Sequence, residues 1–344
     1  MGLLMVIDVH AHAIPPQTLD ALRSDDGRCG VTIRPDGTGG GEAIFVGERK
    51  AGPVRQHLVD VPARVAAMDA DGVDLQIVAS WIGIQAYDLP AEQGRQWARL
   101  FNDSLAAMIA EHPDRFRGLC NVPLQDADGA VEELRRAVGA GMVGAEIATS
   151  FDGHELDDPS LEPFWTAAEE LQCILLLHPD LSLPGRKNSR YFLNNLVGNG
   201  AETTIAISHM LFGGVLERHP DLRLCLSHGG AHLPYQAGRL DHGFQAAPKL
   251  TAQSTTQLPS KQLKRLYYDT VTHSPEALRF LLDFAGAEHV VLGSDYPFEM
   301  GQPDPVNFVR SLPGLTTQDA QRIVAGNMQG LLDGIRRPTG QTPN

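Results

Sequence analysis

His10 and His12 stand two residues apart in Asp8-Val9-His10-Ala11-His12, directly after the apolar run Leu4-Met5-Val6-Ile7. The run is too short for a helix and reads as a buried strand, bounded downstream by Pro15-Pro16. Alternate side chains share one face of a strand, so the two imidazoles project together and offer a pair of ligands to one metal ion. The same pattern recurs along the chain. His178 ends Cys173-Ile174-Leu175-Leu176-Leu177, His228 ends the unit Leu222-Arg223-Leu224-Cys225-Leu226, and Asp295 ends the unit Val290-Val291-Leu292. Imidazoles and a carboxylate at the ends of apolar strands form a donor set suited to zinc, or to another divalent transition metal. Two divisions of labour are open at this point. His10, His12, His178 and Asp295 hold the metal and His228 acts as acid/base, or Asp295 takes the catalytic role. A divalent metal lowers the pKa of water towards about 7, and a neighbouring imidazole moves protons at neutral pH.

These residues converge only if the chain brings its strand ends together. Strand candidates at 4–7, 73–78, 116–122, 143–148, 173–177, 222–226, 266–268 and 290–292 alternate with helical segments. Helices are expected at 61–71, 91–111, 127–140, 161–171, 202–217, 275–284 and 317–332. Such alternation predicts an α/β protein with a parallel sheet, and the number of units predicts a (β/α)₈ TIM barrel. Barrel active sites lie at the C-terminal strand ends, where these histidines and Asp295 stand. No Gly-x-Gly-x-x-Gly follows the first strand, against a dinucleotide-binding sheet. Residues 13–60, rich in Gly and Pro with Gly39-Gly40-Gly41 at their middle, read as a small insertion of hairpins and loop rather than helix. The expected organisation is one barrel domain over 1–335, insertion included, with a polar tail at 336–344.

The 344 residues are 42% hydrophobic, enough for a large core, and carry a net charge of −14. With no offsetting basic cluster, nucleic acid is an unfavourable partner. Cys29, Cys120, Cys173 and Cys225 include no C-x-x-C pair and read as reduced core residues of a cytoplasmic protein. The N-terminal run has no positive flank or cleavage pattern, and no stretch approaches a membrane span. His219 and His112 read as surface histidines. His232, His242 and His273 lie nearer the expected mouth, and Trp165 with Phe164 reads as helix packing.

The sequence resembles the amidohydrolase superfamily, and within it the 2-amino-3-carboxymuconate-6-semialdehyde decarboxylase-like family of metal-dependent, non-oxidative decarboxylases. The resemblance spans nearly the whole chain. It is carried by Asp8-Val9-His10-Ala11-His12, Ala201-Glu202-Thr203-Thr204-Ile205-Ala206-Ile207, Ser227-His228-Gly229-Gly230, Gly238-Arg239-Leu240-Asp241-His242-Gly243-Phe244, Gly293-Ser294-Asp295-Tyr296-Pro297-Phe298 and Gly326-Asn327. It implies His10, His12, His178 and Asp295 as ligands of one Zn²⁺ per subunit, and His228 as the catalytic acid/base. Strand four carries Glu146 and no terminal lysine, which implies a single metal. By the same resemblance Arg55 and Arg239 bind a substrate carboxylate, Arg239 reaching the neighbouring subunit's site in a homodimer, and Phe298 contacts substrate. Guanidinium forks grip carboxylates bidentately, which lets an acidic protein hold an anionic substrate. The implied reaction is decarboxylation of a carboxylated muconate semialdehyde in aromatic-compound catabolism. The alternative is a metal-dependent hydrolase or hydratase of the same superfamily. The chain departs from its relatives after strand five, where Asn194 and Asn195 replace a tryptophan-rich segment and Asp180-Leu181-Ser182 also differs. A changed substrate is expected from this, such as the 2-hydroxy muconate analogue or an aromatic ortho-hydroxy acid.

Overall fold

Ile174–His178 has no polar interruption before its histidine and is buried along its whole length, as a strand must be when helices cover one face and barrel contents the other. Seven further strands, buried over most of their length, stand beside it in the computed structural model, which describes residues 5–24, 27–37, 41–180 and 190–338. They are β1 (Ile7–His12), β2 (Leu75–Ala79), β3 (Phe116–Cys120), β4 (Gly144–Ala148), β5 (Ile174–His178), β6 (Arg223–Leu226), β7 (Tyr267–Asp269) and β8 (Val290–Val291). All neighbours pair in parallel and in chain order. Val9 N donates to Leu292 O at 2.9 Å, and His12 N to Tyr296 O at 2.8 Å, so first and last strands meet. The result is the expected TIM barrel.

Ile77, Leu119, Leu176, Cys225 and Val291 belong to one buried cluster, the filling of the barrel, with Ile7 and Val9 of β1 and with Val143 just before β4. The alternate residues Val78, Leu175, Leu177 and Leu224 join the larger cluster under the helices. β1 departs from strict alternation, because its pairing with β2 slips between Asp8 and Ala11.

The expected helical segments form, but the helix Leu233–Ala246 after β6 was not among them, and two further corrections apply. The segment expected at 202–217 is two helices, Asn199–Phe212 and Val215–Arg218, broken where Gly214 takes φ +77°. The insertion contains a helix, Pro16–Ser24, that the expectation of hairpins and loop omitted. Pro16 opens that helix, a position proline favours because its missing N–H has no partner there. The rest of the insertion is an antiparallel sheet of Val31–Pro35, Glu42–Val46 and Arg49–Pro53, ending in the short helix Gln56–Val59. Leu4, Gly39-Gly40, Leu181-Ser182 and the tail from 339 lie outside the described residues. Of the tail expected from 336, Arg336 N donates to Leu171 O at 2.7 Å.

Gly144 opens β4 at φ +154°, where a Cβ would meet Ile174 O at 1.8 Å. Gly144→Ala is therefore expected to cost about 2–4 kcal/mol by forcing β4 and β5 apart, read as a lower urea midpoint. An unchanged midpoint would show that this strand pair tolerates displacement.

Candidate active site

β1 delivers His10 and His12, β5 His178, the turn after β6 His228, and the segment after β8 Asp295. The ring of His10 lies within 5.3 Å, centroid to centroid, of those of His12, His178 and His228. One atom each from His10, His178, His228 and Asp295 falls within 4.8 Å of the others. His12 completes the cluster, its Nε2 lying 3.0 Å from His10 Nε2 and 3.2 Å from Asp295 Oδ1.

The outer ring nitrogens fix the tautomers. His12 Nδ1 donates to the Ser80 carbonyl at 2.6 Å, and His10 Nδ1 donates to Asp269 Oδ2 at 2.6 Å. His178 Nδ1 donates to the Pro179 carbonyl at 3.0 Å. Each neutral imidazole then turns an Nε2 lone pair inward. Two lone pairs 3.0 Å apart repel unless a proton or a metal cation lies between them. His178 Nε2 and Asp295 Oδ1 are also buried without a hydrogen-bond partner. This chemistry fits a divalent metal. Any of the imidazoles and the Asp295 carboxylate could ligate it.

The electrostatics agree. Burial disfavours charge on His10, but Asp295, Asp269 and Asp8 outweigh it and push its pKa up to about 9. Burial, with the neighbouring histidines, drives His178 well below the usual imidazole range. Burial opposes ionisation of Asp295, yet His10, His12 and His228 hold it well below the carboxylate range. The pocket is a place for positive charge.

Beneath the histidines lies a polar network that the sequence reading did not assemble. Asp8 accepts bonds from Ser294 Oγ at 2.6 Å, Gln76 Nε2 at 2.9 Å and His10 N at 3.1 Å. It therefore fixes the backbone of β1 and not the ring of a ligand. Arg64, fully buried, donates to Gln76 Oε1 at 2.7 Å and to the His12 carbonyl, and lies 4.8 Å from the Tyr296 ring centroid. Burial lowers its pKa to about 10, so it stays charged at neutral pH. Glu146 accepts from Ser80 Oγ at 3.0 Å and Gln85 Nε2 at 2.9 Å, with its Oε1 3.5 Å from His12 Nδ1.

Over the cluster opens a cavity of about 170 Å³ lined by Arg55, Trp81, His178, Asn195, His228, Asp295 and Phe298, among others. The insertion thus delivers Arg55, at the start of helix Gln56–Val59, to the site. Phe298 packs on His12 with ring centroids 5.1 Å apart. Arg239 is elsewhere, exposed on helix Leu233–Ala246 and outside this lining. Trp81 and Asp269 were missed. Asp269 was findable, since it ends β7 as the other acids and histidines end theirs. His219 is corrected from surface to buried, its ring within 3.0 Å of Glu162 and 3.2 Å of Glu169. His232 and His273 are exposed but line an adjoining cavity of about 410 Å³. Trp165 and Phe164 pack in the core, as expected.

Arg64→Met leaves the His12 carbonyl and Gln76 Oε1 without their donor, a loss of about 1–3 kcal/mol. It is expected to lower Tm and to weaken metal binding through the displaced β1 backbone. Thermal melts with and without added metal check this, and equal melting of both proteins in both conditions would refute it.

Comparison with known proteins places these features in a family. The amidohydrolase family model matches residues 7–328. A 2-amino-3-carboxymuconate-6-semialdehyde decarboxylase from Dictyostelium discoideum is 34% identical over 269 residues, covering 78% of this chain and 75% of that one. The crystal structure of 5-carboxyvanillate decarboxylase from Sphingomonas paucimobilis aligns with a TM-score of 0.79 at 27% identity, over 96% of this chain and 99% of that one. A dihydroxybenzoic acid decarboxylase from Polaromonas sp. JS666, solved with manganese bound, shares the fold at a TM-score of 0.76 and 23% identity, over 96% and 97% of the two chains. With all eight barrel strands inside the matched span, the chain belongs to the amidohydrolase family, in its 2-amino-3-carboxymuconate-6-semialdehyde decarboxylase-like branch.

Proposed function

We propose that this chain is a zinc-dependent, non-oxidative decarboxylase of a carboxylated muconate semialdehyde, either 2-amino-3-carboxymuconate-6-semialdehyde or its 2-hydroxy analogue. The observation that carries the reading is the inward convergence of Nε2 lone pairs beside Asp295, with His228 facing the same cavity. His10, His12, His178 and Asp295 would hold one metal ion. Zinc is favoured by three imidazoles and one carboxylate, and manganese is the other candidate. When bound, the metal supplies Lewis acidity to a substrate oxygen.

The chain's own residues do the rest. Loss of CO₂ from an sp² carbon leaves an unstabilised carbanion, so a proton must reach that carbon before the C–C bond breaks. His228 would deliver it. Its side chain is 21% exposed, it lines the cavity, and its Nε2 lies 3.5 Å from Asp295 Oδ2. Once the carbon is protonated, the electrons of the breaking C–C bond return to the conjugated system and CO₂ leaves. Arg55 grips a second carboxylate bidentately, while Trp81 and Phe298 form apolar walls for a planar substrate. Asn195, where relatives are tryptophan-rich, lines the same cavity and would select among amino, hydroxy and aromatic analogues.

Arg239 would act across a homodimer, reaching the neighbouring subunit's site. Tyr235, 80% exposed and one helical turn before Arg239, supports a covered face there, as does the exposed Phe280 whose ring lies 6.2 Å from it. The working unit would be the barrel domain 1–335, in the cytoplasm. The four cysteines form no disulfide, and no described helix is long and apolar enough to cross a membrane.

Zinc-loaded protein should consume 2-amino-3-carboxymuconate semialdehyde, with loss of its absorbance and release of CO₂. Chelation should abolish turnover and zinc restore it. His228→Ala should lower kcat by about 10²–10⁴-fold with zinc content unchanged. Arg55→Lys should raise KM more than it lowers kcat, since lysine cannot form the bidentate grip. If metal-loaded protein releases no CO₂ from this substrate, from the 2-hydroxy analogue or from ortho-hydroxy aromatic acids, the decarboxylase assignment fails.

A further inference from the structure

We propose that Asp269 is a positioning residue that ties the metal-facing ring of His10 and the backbone turn of His228 to a single carboxylate. The inference rests on the reading that His10 ligates the metal and His228 moves the proton.

Asp269 ends β7 and is buried. Each of its oxygens accepts two hydrogen bonds. Oδ2 accepts from His10 Nδ1 at 2.6 Å and from His228 N at 3.0 Å. Oδ1 accepts from Gly229 N at 2.7 Å and from Val271 N at 3.0 Å. One carboxylate oxygen is therefore shared between the ring of His10 and the backbone amide of His228.

Two consequences follow from the chemistry of the acceptor. A carboxylate can only accept, so His10 must carry its proton on Nδ1 and present Nε2 as a lone pair. The second concerns the turn after β6. His228, Gly229, Gly230 and Ala231 have φ of +54°, +61°, +71° and +55°, a left-handed run that L-residues resist. The amides of His228 and Gly229 both point at Asp269, so the carboxylate holds the backbone that aims the His228 ring. Gly293 leaves the room for this arrangement. A Cβ there would lie 2.8 Å from Asp269 Cβ and 3.1 Å from His10 Cβ. Ordinary loop bracing would need only the bonds from Gly229 and Val271. The bond to His10 goes beyond it and couples the two functional groups.

Asp269→Asn tests the coupling. The amide keeps one oxygen for the Gly229 and Val271 amides but turns an NH₂ towards His10 Nδ1. That favours the other His10 tautomer, whose Nε2–H points into the donor set. Zinc affinity, measured by competition with a chromophoric chelator, should fall by about 10–100-fold. The kcat of the zinc-saturated variant should fall by about 10-fold or more, because the His228 turn also loses its bond. The Tm of the zinc-free variant should fall modestly, because the His228 amide loses its acceptor. Wild-type zinc affinity in the variant, or lowered affinity with full kcat at saturating zinc, overturns the coupling. Wild-type protein that binds no zinc defeats the functional reading instead. Should Asp269→Asn not fold, hydrogen exchange in the wild type decides. Zinc should slow exchange of the His228 and Gly229 amides more than of those in helix Pro275–Ala285, and an equal effect at both places overturns the inference.

Discussion

Two imidazole nitrogens held 3.0 Å apart, each with its proton committed to the far side of the ring, are the constraint on which the structure turns. Without a proton or a metal cation between them the arrangement is repulsive, and His178 Nε2 and Asp295 Oδ1 add two more inward acceptors lacking partners. The barrel holds them together because their backbones are locked by strand pairing on the ring of eight strands. Asp295 N donates to the His10 carbonyl at 2.8 Å, so the segment carrying Asp295 is bonded directly to β1. The rigidity of the scaffold maintains a donor set that the side chains alone would not keep.

The surroundings divide into a supporting side and a working side. On the supporting side, Asp8, Gln76, Arg64 and Ser294 fill hydrogen-bonding capacity below β1, and Asp269 and Ser80 fix the two ring tautomers. A buried arginine and several buried carboxylates would be costly singly. Here each is partnered, with Arg64 engaging a carbonyl, an amide and an aromatic face. On the working side, the insertion contributes Arg55, and the segment after β5 contributes Phe192 and Asn195. In the proposed reading, reaction chemistry sits on strand ends and substrate choice on the loops above them.

The strand-end histidines were legible because their logic is one-dimensional: an apolar run, then a ligand. His10, His12, His178, His228 and Asp295 followed from that rule, and the barrel from the alternation of runs. The same rule would have found Asp269, had the strand from Leu266 been read one residue further. Arg64 and Gln76 were not legible, because their roles depend on contacts between a helix and strands that no local pattern encodes. The Pro16–Ser24 helix was hidden by having few apolar residues, although its opening proline was a signal. Arg55 was reachable only through resemblance. Its arrival at the cavity depends on a small sheet whose register the sequence leaves open.

The most direct test of the account is anomalous diffraction at the zinc edge from crystals of the zinc-loaded protein. One anomalous peak per chain, in contact with His10, His12, His178 and Asp295 and with His228 left free, is the result the account predicts. No peak at these side chains, or a second ion beside Glu146, would contradict it.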